Sequence, residues 1–487
     1  MPLLAKLARW LATVAITIVL TVTLVTAVAD RRMADLGREH RVSLEHEFTA
    51  ADEQETDWSQ YALIEAALAS EVKETIDTTG RRFNPVDRYS DDSLTNPESY
   101  PTNWNLSFEL TAESPQGVAV LLHGLSDSPY SMRAIAQTLV DSGYSVVVPR
   151  MPGHGFAVGS LLDARWEDWA AAVRIAVRHA AELPGAEQSF ILAGYSNGGL
   201  MAVDFALSCD EDPKLACPDG IVLFSPAIAV SSLAVISNWH TLLSWIPYFE
   251  KSKWLSILPE IDPFKFTSFP KRAAWEIYRL STGTYKQLKQ PSEAARLPPI
   301  LTFQSVVDNT VSTSAIITNL YDRLPANGSE IVIYDVNRSS AVLHLMRNVP
   351  ADPVTLLEST APLTFGVTVL RNRSDMGRQI DTYSLAAGQT ALLKVETSMM
   401  WPEGIYSMSH IAVPFRPDDP VYGDGSATES ARQRVVFGSL APRGEEGVLR
   451  LNSAYFLRTR YNPFFSYQAQ HLTDWLATLD QSAESSR

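Results

Sequence analysis

Phe190-Ile191-Leu192-Ala193-Gly194-Tyr195-Ser196-Asn197-Gly198 passes from an apolar run into a Gly-x-Ser-x-Gly pentapeptide. Gly199 to Leu207 then reads as a helix. A pentapeptide of this form between a strand and a helix is a nucleophile elbow. The turn is sharp enough to force the serine into a strained backbone conformation, and the glycines, having no Cβ, leave room for it. The hydroxyl then stands clear of the strand, where a base can reach it. At average composition the pentapeptide alone arises by chance in roughly one chain in ten of this length. The flanking strand and helix therefore carry the reading.

Outward from Ser196 the chain alternates strands and helices. Trp104 to Leu110 and Gly117 to Leu122 read as strands joined by the turn Glu113-Ser114-Pro115-Gln116. Ser131 to Val140 reads as helix, Tyr144 to Val148 as strand, and Trp166 to Ala181 as the helix leading to the Ser196 strand. Ile221 to Phe224, Ile300 to Phe303 and Ile331 to Tyr334 are further short apolar runs. This rhythm predicts an α/β fold with a mostly parallel sheet covered by helices on both faces. Ligands then sit beyond the carboxyl ends of the strands. Two segments break the rhythm. Residues 227–295 are dense in aromatics, among them Trp239 and Trp245, and read as a helical cap over the site with those two tryptophans against substrate. Residues 337–400 form a second insertion, with strand-like Phe365 to Leu370 and Ala391 to Val395.

A serine hydroxyl is a poor nucleophile at neutral pH. It needs a base within hydrogen-bond reach, a group orienting that base and donors for a developing oxyanion. In elbow proteins the chain order is serine, acid, histidine. The acid candidate is Asp308, directly after the strand ending at Phe303. His123-Gly124-Leu125 follows the strand Gly117 to Leu122, so the Leu125 amide would pair with that of Asn197 as the oxyanion donors. Two histidines compete as base. His344 is the nearer to Asp308 in sequence but lies in the apolar run Ala341-Val342-Leu343-His344-Leu345-Met346. His410 is flanked by Ser407 and Ser409 and followed by Pro414, the surroundings of a loop histidine at a site rim. The expected base is His410, with His344 as the alternative.

The chain has 487 residues, is 46% hydrophobic and 20% charged, and carries a formal charge of −15, which argues against a nucleic-acid partner. Leu11 to Ala29 contains no charged residue and is long enough for about one bilayer crossing. It is read as a transmembrane helix or a signal peptide after the basic flank 1–10, with Ala27-Val28-Ala29 as a possible cleavage site. Either reading sends the rest of the protein to the periplasmic or extracellular side, anchored or secreted. Residues 30–100 read as a charged, helix-rich stalk or N-terminal extension, 101–480 as the main domain and 481–487 as a tail. In an exported chain, the two cysteines Cys209 and Cys217 are expected to form a disulfide. No H-E-x-x-H metal motif and no phosphate-binding glycine loop occurs, so no metal or cofactor is expected.

Five ordered pieces together resemble the α/β-hydrolase family, in its branch of monoacylglycerol lipases, lysophospholipases, carboxylesterases and S33-type serine aminopeptidases. They are Leu121-Leu122-His123-Gly124-Leu125, Pro149-Arg150-Met151-Pro152-Gly153-His154-Gly155, Trp166-Glu167-Asp168-Trp169, Gly194 to Gly199 and Asp308-Asn309-Thr310-Val311. The resemblance implies the triad Ser196, Asp308 and His410, an oxyanion hole from Leu125 and Asn197, and a structural role for His154. The expected activity is hydrolysis of a lipid-like carboxylic ester through an acyl-enzyme. The alternatives are acyl transfer on the same triad, an aminopeptidase using Asp262 or Glu260 to hold an amine, and an inactive hydrolase fold serving as an interaction module. The first 100 residues and the long stretch between acid and histidine depart from the family pattern.

Overall fold

Alternate residues of the central strands face opposite sides of the sheet, as the period of a strand requires. In β2 (Gly117–Leu122) Val118, Val120 and Leu122 enter one core layer, and Ala119 and Leu121 enter the other. In β4 (Phe190–Tyr195) Phe190 and Leu192 face the first layer, while Ile191, Ala193 and Tyr195 face the second. A strand buried on both faces reads as a continuous apolar run, which is why these elements were legible. The computed structural model describes residues 2–76, 84–228, 247–307, 313–340, 352–358, 362–374, 376–427, 435–440 and 457–486.

β1 (Phe108–Leu110), β3 (Tyr144–Val148), β5 (Gly220–Phe224), β8 (Ile300–Ser305) and β9 (Glu330–Tyr334) join β2 and β4 in the central sheet. So do β10 (Gly366–Asn372), β11 (Gln379–Leu385) and β12 (Leu393–Met400). The order is β1-β3-β2-β4-β5-β8-β9-β10-β11-β12, ten strands in all. From β3 through β10 every neighbouring pair is parallel; β1 and the β11–β12 hairpin are antiparallel edges. The insertion at 337–400 is therefore no separate unit. Its strands extend the main sheet, and β11, absent from the sequence reading, supplies the middle of the extension. The chain then returns through β13 (Ile405–Met408), which pairs with β15 (Leu457–Thr459); β14 (Ser439–Leu440) pairs with β15 on its other side.

On the helical side, α1 is Pro2–Arg32, α2 Trp58–Thr75, α3 Arg133–Asp141 and α4 Trp166–Ala180. They are followed by α5 (Asn197–Ser208), α6 (Lys271–Leu288), α7 (Thr313–Asn319) and α8 (Phe465–Ser486). Residues of α4, α5 and α6 share the first core layer, and residues of α3 and α8 share the second. Of the expected cap, the described part holds the two-stranded ribbon β6 (Trp254–Ser256) and β7 (Phe269–Pro270) followed by α6.

The segment at 30–100, read as a stalk or N-terminal extension, packs onto the main domain where it is described. Phe48 and Tyr61 bury against Ala171, Ala172 and Ile175 of α4. Arg150, fully buried at the end of β3, binds Glu47 (2.8 Å) and Glu65 (3.1 Å) across 103 and 85 residues of sequence. Tyr61 donates to the Arg150 carbonyl at 2.7 Å. α1 exposes Leu7, Trp10, Leu11, Ile16, Leu20, Leu24 and Val28 along its length. Among the described residues no helix is long and apolar enough to cross a membrane. The helix at the expected membrane segment is observed; the crossing is not.

Candidate active site

β4 ends at Tyr195 and α5 begins at Asn197, so Ser196 must reverse the chain within one residue. It does so at φ +54°, ψ −114°, a region that costs a side-chain-bearing residue of order 1–3 kcal/mol. Two backbone bonds to β5 and its following turn hold it there: Ser196 N–H to the Phe224 carbonyl and Ala227 N–H to the Ser196 carbonyl, both 2.9 Å. A Cβ on Gly198 would run into the Leu122 carbonyl, and one on Gly194 into the Gly198 carbonyl. The glycines are thus required by the approach of the elbow to β4 and to the end of β2. Ser196 remains partly exposed while its neighbours are buried.

The same close approach sets the elbow beside His123-Gly124-Leu125. Asn197, as the first residue of α5, has an N–H without an intrahelical acceptor, at the positive end of the helix. His123 is not available as a base. Its Nε2 accepts from the Met151 N–H (2.9 Å) and its Nδ1 faces the Gly124 carbonyl (2.8 Å), which fixes the neutral Nδ1–H tautomer. Burial first, then the neighbouring His154, pushes its pKa well down. His154 sits edge-on to His123 and Trp169 and faces the Pro152 carbonyl through Nδ1 (3.0 Å); burial lowers its pKa to about 3. Both imidazoles brace the loop.

The segment after β6 docks directly on the loop that follows His123-Gly124-Leu125. Ser126 takes φ +62°, its carbonyl accepts from the Phe266 N–H (2.8 Å), and Lys265 pairs with buried Asp127 at 2.7 Å. Asp262 is engaged by the Tyr422 hydroxyl (2.5 Å) and Arg460 (3.5 Å). Glu260 accepts from the N–H groups of Thr267 (3.0 Å) and Ser268 (2.8 Å). Both carboxylates have structural partners and are buried, which leaves the amine-holding role without support.

His410 opens a short helical turn after β13. Ser409 ties this turn to β15 through the Thr459 carbonyl, by N–H (3.1 Å) and by Oγ (2.8 Å). From β8, Ser305 Oγ donates to the Met408 carbonyl at 3.3 Å, so the His410 strand lies against the end of β8. His410 retains some solvent-exposed surface, yet its ring is closely surrounded. That burial, with the positive charges of Lys265, Arg458 and Arg460, lowers its pKa to about 3 and keeps the imidazole neutral.

Asp308, His344, Trp239 and Trp245 lie outside the described residues. Cys209 and Cys217 are joined by a disulfide. Among the described residues no cluster of three or more His, Cys, Asp or Glu side chains could hold a metal ion. Sequence reading missed Lys265, Arg458 and Arg460, and gave Arg150 no partner. Each acts through partners tens to hundreds of residues away, and a lone basic residue leaves no local pattern.

Residues 113–338 match the family described as Hydrolase_4, serine aminopeptidase S33. The thermostable monoacylglycerol lipase of Bacillus sp. (strain H-257) is 28% identical over 137 residues, which make up 28% of this chain and 51% of that protein. The chain thus spans about half the length of that curated relative. Among solved structures, one of the metagenome-derived lipolytic enzymes LipS and LipT aligns at 19% identity and TM-score 0.38, covering 48% of this chain and 87% of its own. The monoacylglycerol lipase of Paleococcus ferrophilus aligns at 18% identity and TM-score 0.36, covering 47% and 88%.

Proposed function

We propose that the chain is an α/β-hydrolase of the monoacylglycerol lipase and serine aminopeptidase S33 branch, to which residues 113–338 are similar, and that it acts as a serine-dependent carboxylic-ester hydrolase. The observation that carries this is Ser196 at φ +54°, held at the N-terminus of α5 beside the His123-Gly124-Leu125 loop. A neutral His410 takes the Ser196 proton, Asp308 orients the imidazole, and the amides of Leu125 and Asn197 hold the oxyanion as the acyl-enzyme forms. Water then hydrolyses it. The packing of the His410 strand against the end of β8, two residues before Val307, supports His410 over His344 as the base.

The substrate is a lipid-like ester such as a monoglyceride or lysophospholipid, in keeping with the relative's lipase name and the aromatic-rich cap sequence. Leu11 to Ala29, uncharged in sequence and part of the continuous helix α1, anchors the protein to the membrane or directs its secretion, with the main domain outside the cytoplasm.

The test is hydrolysis of p-nitrophenyl esters from acetate to palmitate by the full chain in detergent, beside Ser196→Ala, His410→Ala and His344→Ala. Ser196→Ala and His410→Ala should lose at least about 10³-fold in kcat and label with no fluorophosphonate, or only slowly, while remaining folded. Loss confined to His344→Ala would move the base. An inert wild-type protein would favour the interaction-module reading.

A further inference from the structure

Between Asp308 and His410 the chain makes an excursion through β10, β11 and β12 before it returns in β13. A base delivered after so long a detour cannot owe its position to a short connecting loop; something must tie the returning strand to the β8 end of the sheet. Arg458, on β15 and only 3% exposed, makes that tie. Its Nε donates to Ser407 Oγ at 3.0 Å, and its Nη2 donates to the Met408 carbonyl at 2.6 Å and to the Val307 carbonyl at 3.0 Å. Met408 lies two residues before His410. Val307 lies at the end of the β8 segment, 151 residues from the arginine that grips it and directly before Asp308 in sequence.

We propose that Arg458 is a positioning residue for the reaction, clamping the strand that delivers His410 against the end of β8. The inference rests on the assignment of Ser196 and His410 above. A planar guanidinium with donors fixed at Nε and Nη2 suits this task because it holds several acceptors in one rigid fork, whereas a lysine ammonium would have to choose among them. The other groups facing His410 with charge are Lys265, from the cap segment and paired with Asp127, and Arg460, from the residue after β15 and facing Asp262. Arg458 adds a third positive charge that disfavours the imidazolium, so the clamp also keeps the base unprotonated.

The experiment compares the full-length wild type with Arg458→Lys, Arg458→Gln and Ser407→Ala. It measures kcat and KM on a p-nitrophenyl ester per fluorophosphonate-titrated site, the pH profile of kcat/KM, and Tm. Displacement of a catalytic group by about 1 Å costs roughly 10²-fold, so Arg458→Gln should lose about 10²-fold in kcat with KM changed less than about 3-fold. The acid limb of its pH profile should move upward, because one positive charge has left the imidazole. Arg458→Lys should keep that limb near the wild type and recover part of kcat. Ser407→Ala, which removes only the Nε acceptor, should lose several-fold and serves if Arg458→Gln does not fold. The proposal falls if folded Arg458→Lys and Ser407→Ala show lowered Tm but wild-type kcat and pH profile per titrated site. Should Ser196→Ala itself remain active, the assignment beneath it fails instead.

Discussion

Ser196 illustrates how much chemistry one residue's backbone can set. Its φ of +54° is maintained by bonds to the Phe224 carbonyl and from the Ala227 N–H, so the strain is opposed by β5 and the turn that follows it. His410, the proposed base, illustrates how surroundings set the protonation of an imidazole. With its pKa lowered to about 3, the imidazole stays neutral as pH falls through the ordinary imidazole range near 6.5. A general base works in its neutral form, so activity is present above the folded pKa and lost only as pH drops toward it. The expected kcat/KM profile for a soluble p-nitrophenyl ester is flat from about pH 8 to 6, with its acid limb below about pH 6. A limb centred at 6.5 or above would contradict the enclosure of this ring. The pentapeptide around Ser196 was readable because its steric demands are local. The neutral state of His410 was not, because Lys265, Arg458 and Arg460 reach it from distant segments.

At the scale of elements, α5 does two jobs. Its N-terminus serves the elbow, and its body locks the sheet to α6, where Thr284 donates to Asp204 at 2.8 Å. Burial raises the Asp204 pKa to about 6. The unfolded carboxyl titrates near 3.9, so between that value and 6 the unfolded chain releases a proton that the folded one keeps, and above pH 6 the ionised carboxylate is a standing cost. Asp204→Asn keeps an acceptor for Thr284 and removes the charge. It should raise the unfolding free energy by about 2 kcal/mol at pH 8 and by close to nothing at pH 4, read by denaturant unfolding at both values. An equal gain at both would mean that ionisation is not the cause. Element positions in the sheet core were legible for a simple reason: β2, β4, β5, β8 and β9 are buried on both faces and read as apolar runs. β11 escaped notice because Gln379-Ile380-Asp381-Thr382-Tyr383 mixes polar and apolar residues, as suits the antiparallel margin of the sheet.

Across the whole molecule, the described residues between 30 and 100 pack as part of the main domain. Glu47 supplies carboxylate oxygens to Arg150 and to the Gly153 N–H (2.9 Å), and so braces the Gly153-His154-Gly155 turn. Glu53 binds Arg174 and Arg178 on α4. Lys251 and Asp35, with Arg41 and Glu250, tie the chain just after α1 to the cap segment. Removal of residues 1–31 leaves these pairs in place, so Tm and specific activity should stay close to those of the full chain, and the proposed anchor predicts loss of the protein from the membrane fraction. Removal of residues 1–57 strips Glu47, Phe48 and Glu53 together. Loss of one partner of a buried pair costs about 3–5 kcal/mol, so this truncation should unfold at markedly lower temperature or fail to accumulate. Sedimentation with membranes and thermal unfolding check both; equal Tm values for the two truncations would restore the stalk reading.

Sequence alone determined the mostly parallel α/β sheet in outline, the strand–turn–helix at Ser196 and the His-Gly turn beside it. Strand burial, the glycines of an elbow and the His-Gly turn are local steric facts that neighbouring residues announce to one another. Only the tertiary structure decided that the segment at 30–100 is packed against the main domain, that 337–400 extends the central sheet, and that Arg150, Lys265, Asp262 and Arg458 are fixed to particular partners. Those outcomes depend on which charges and edges meet across tens of residues to well over a hundred. Their energies arise from burial and hydrogen bonding at the point of contact, and no local pattern in the chain records them.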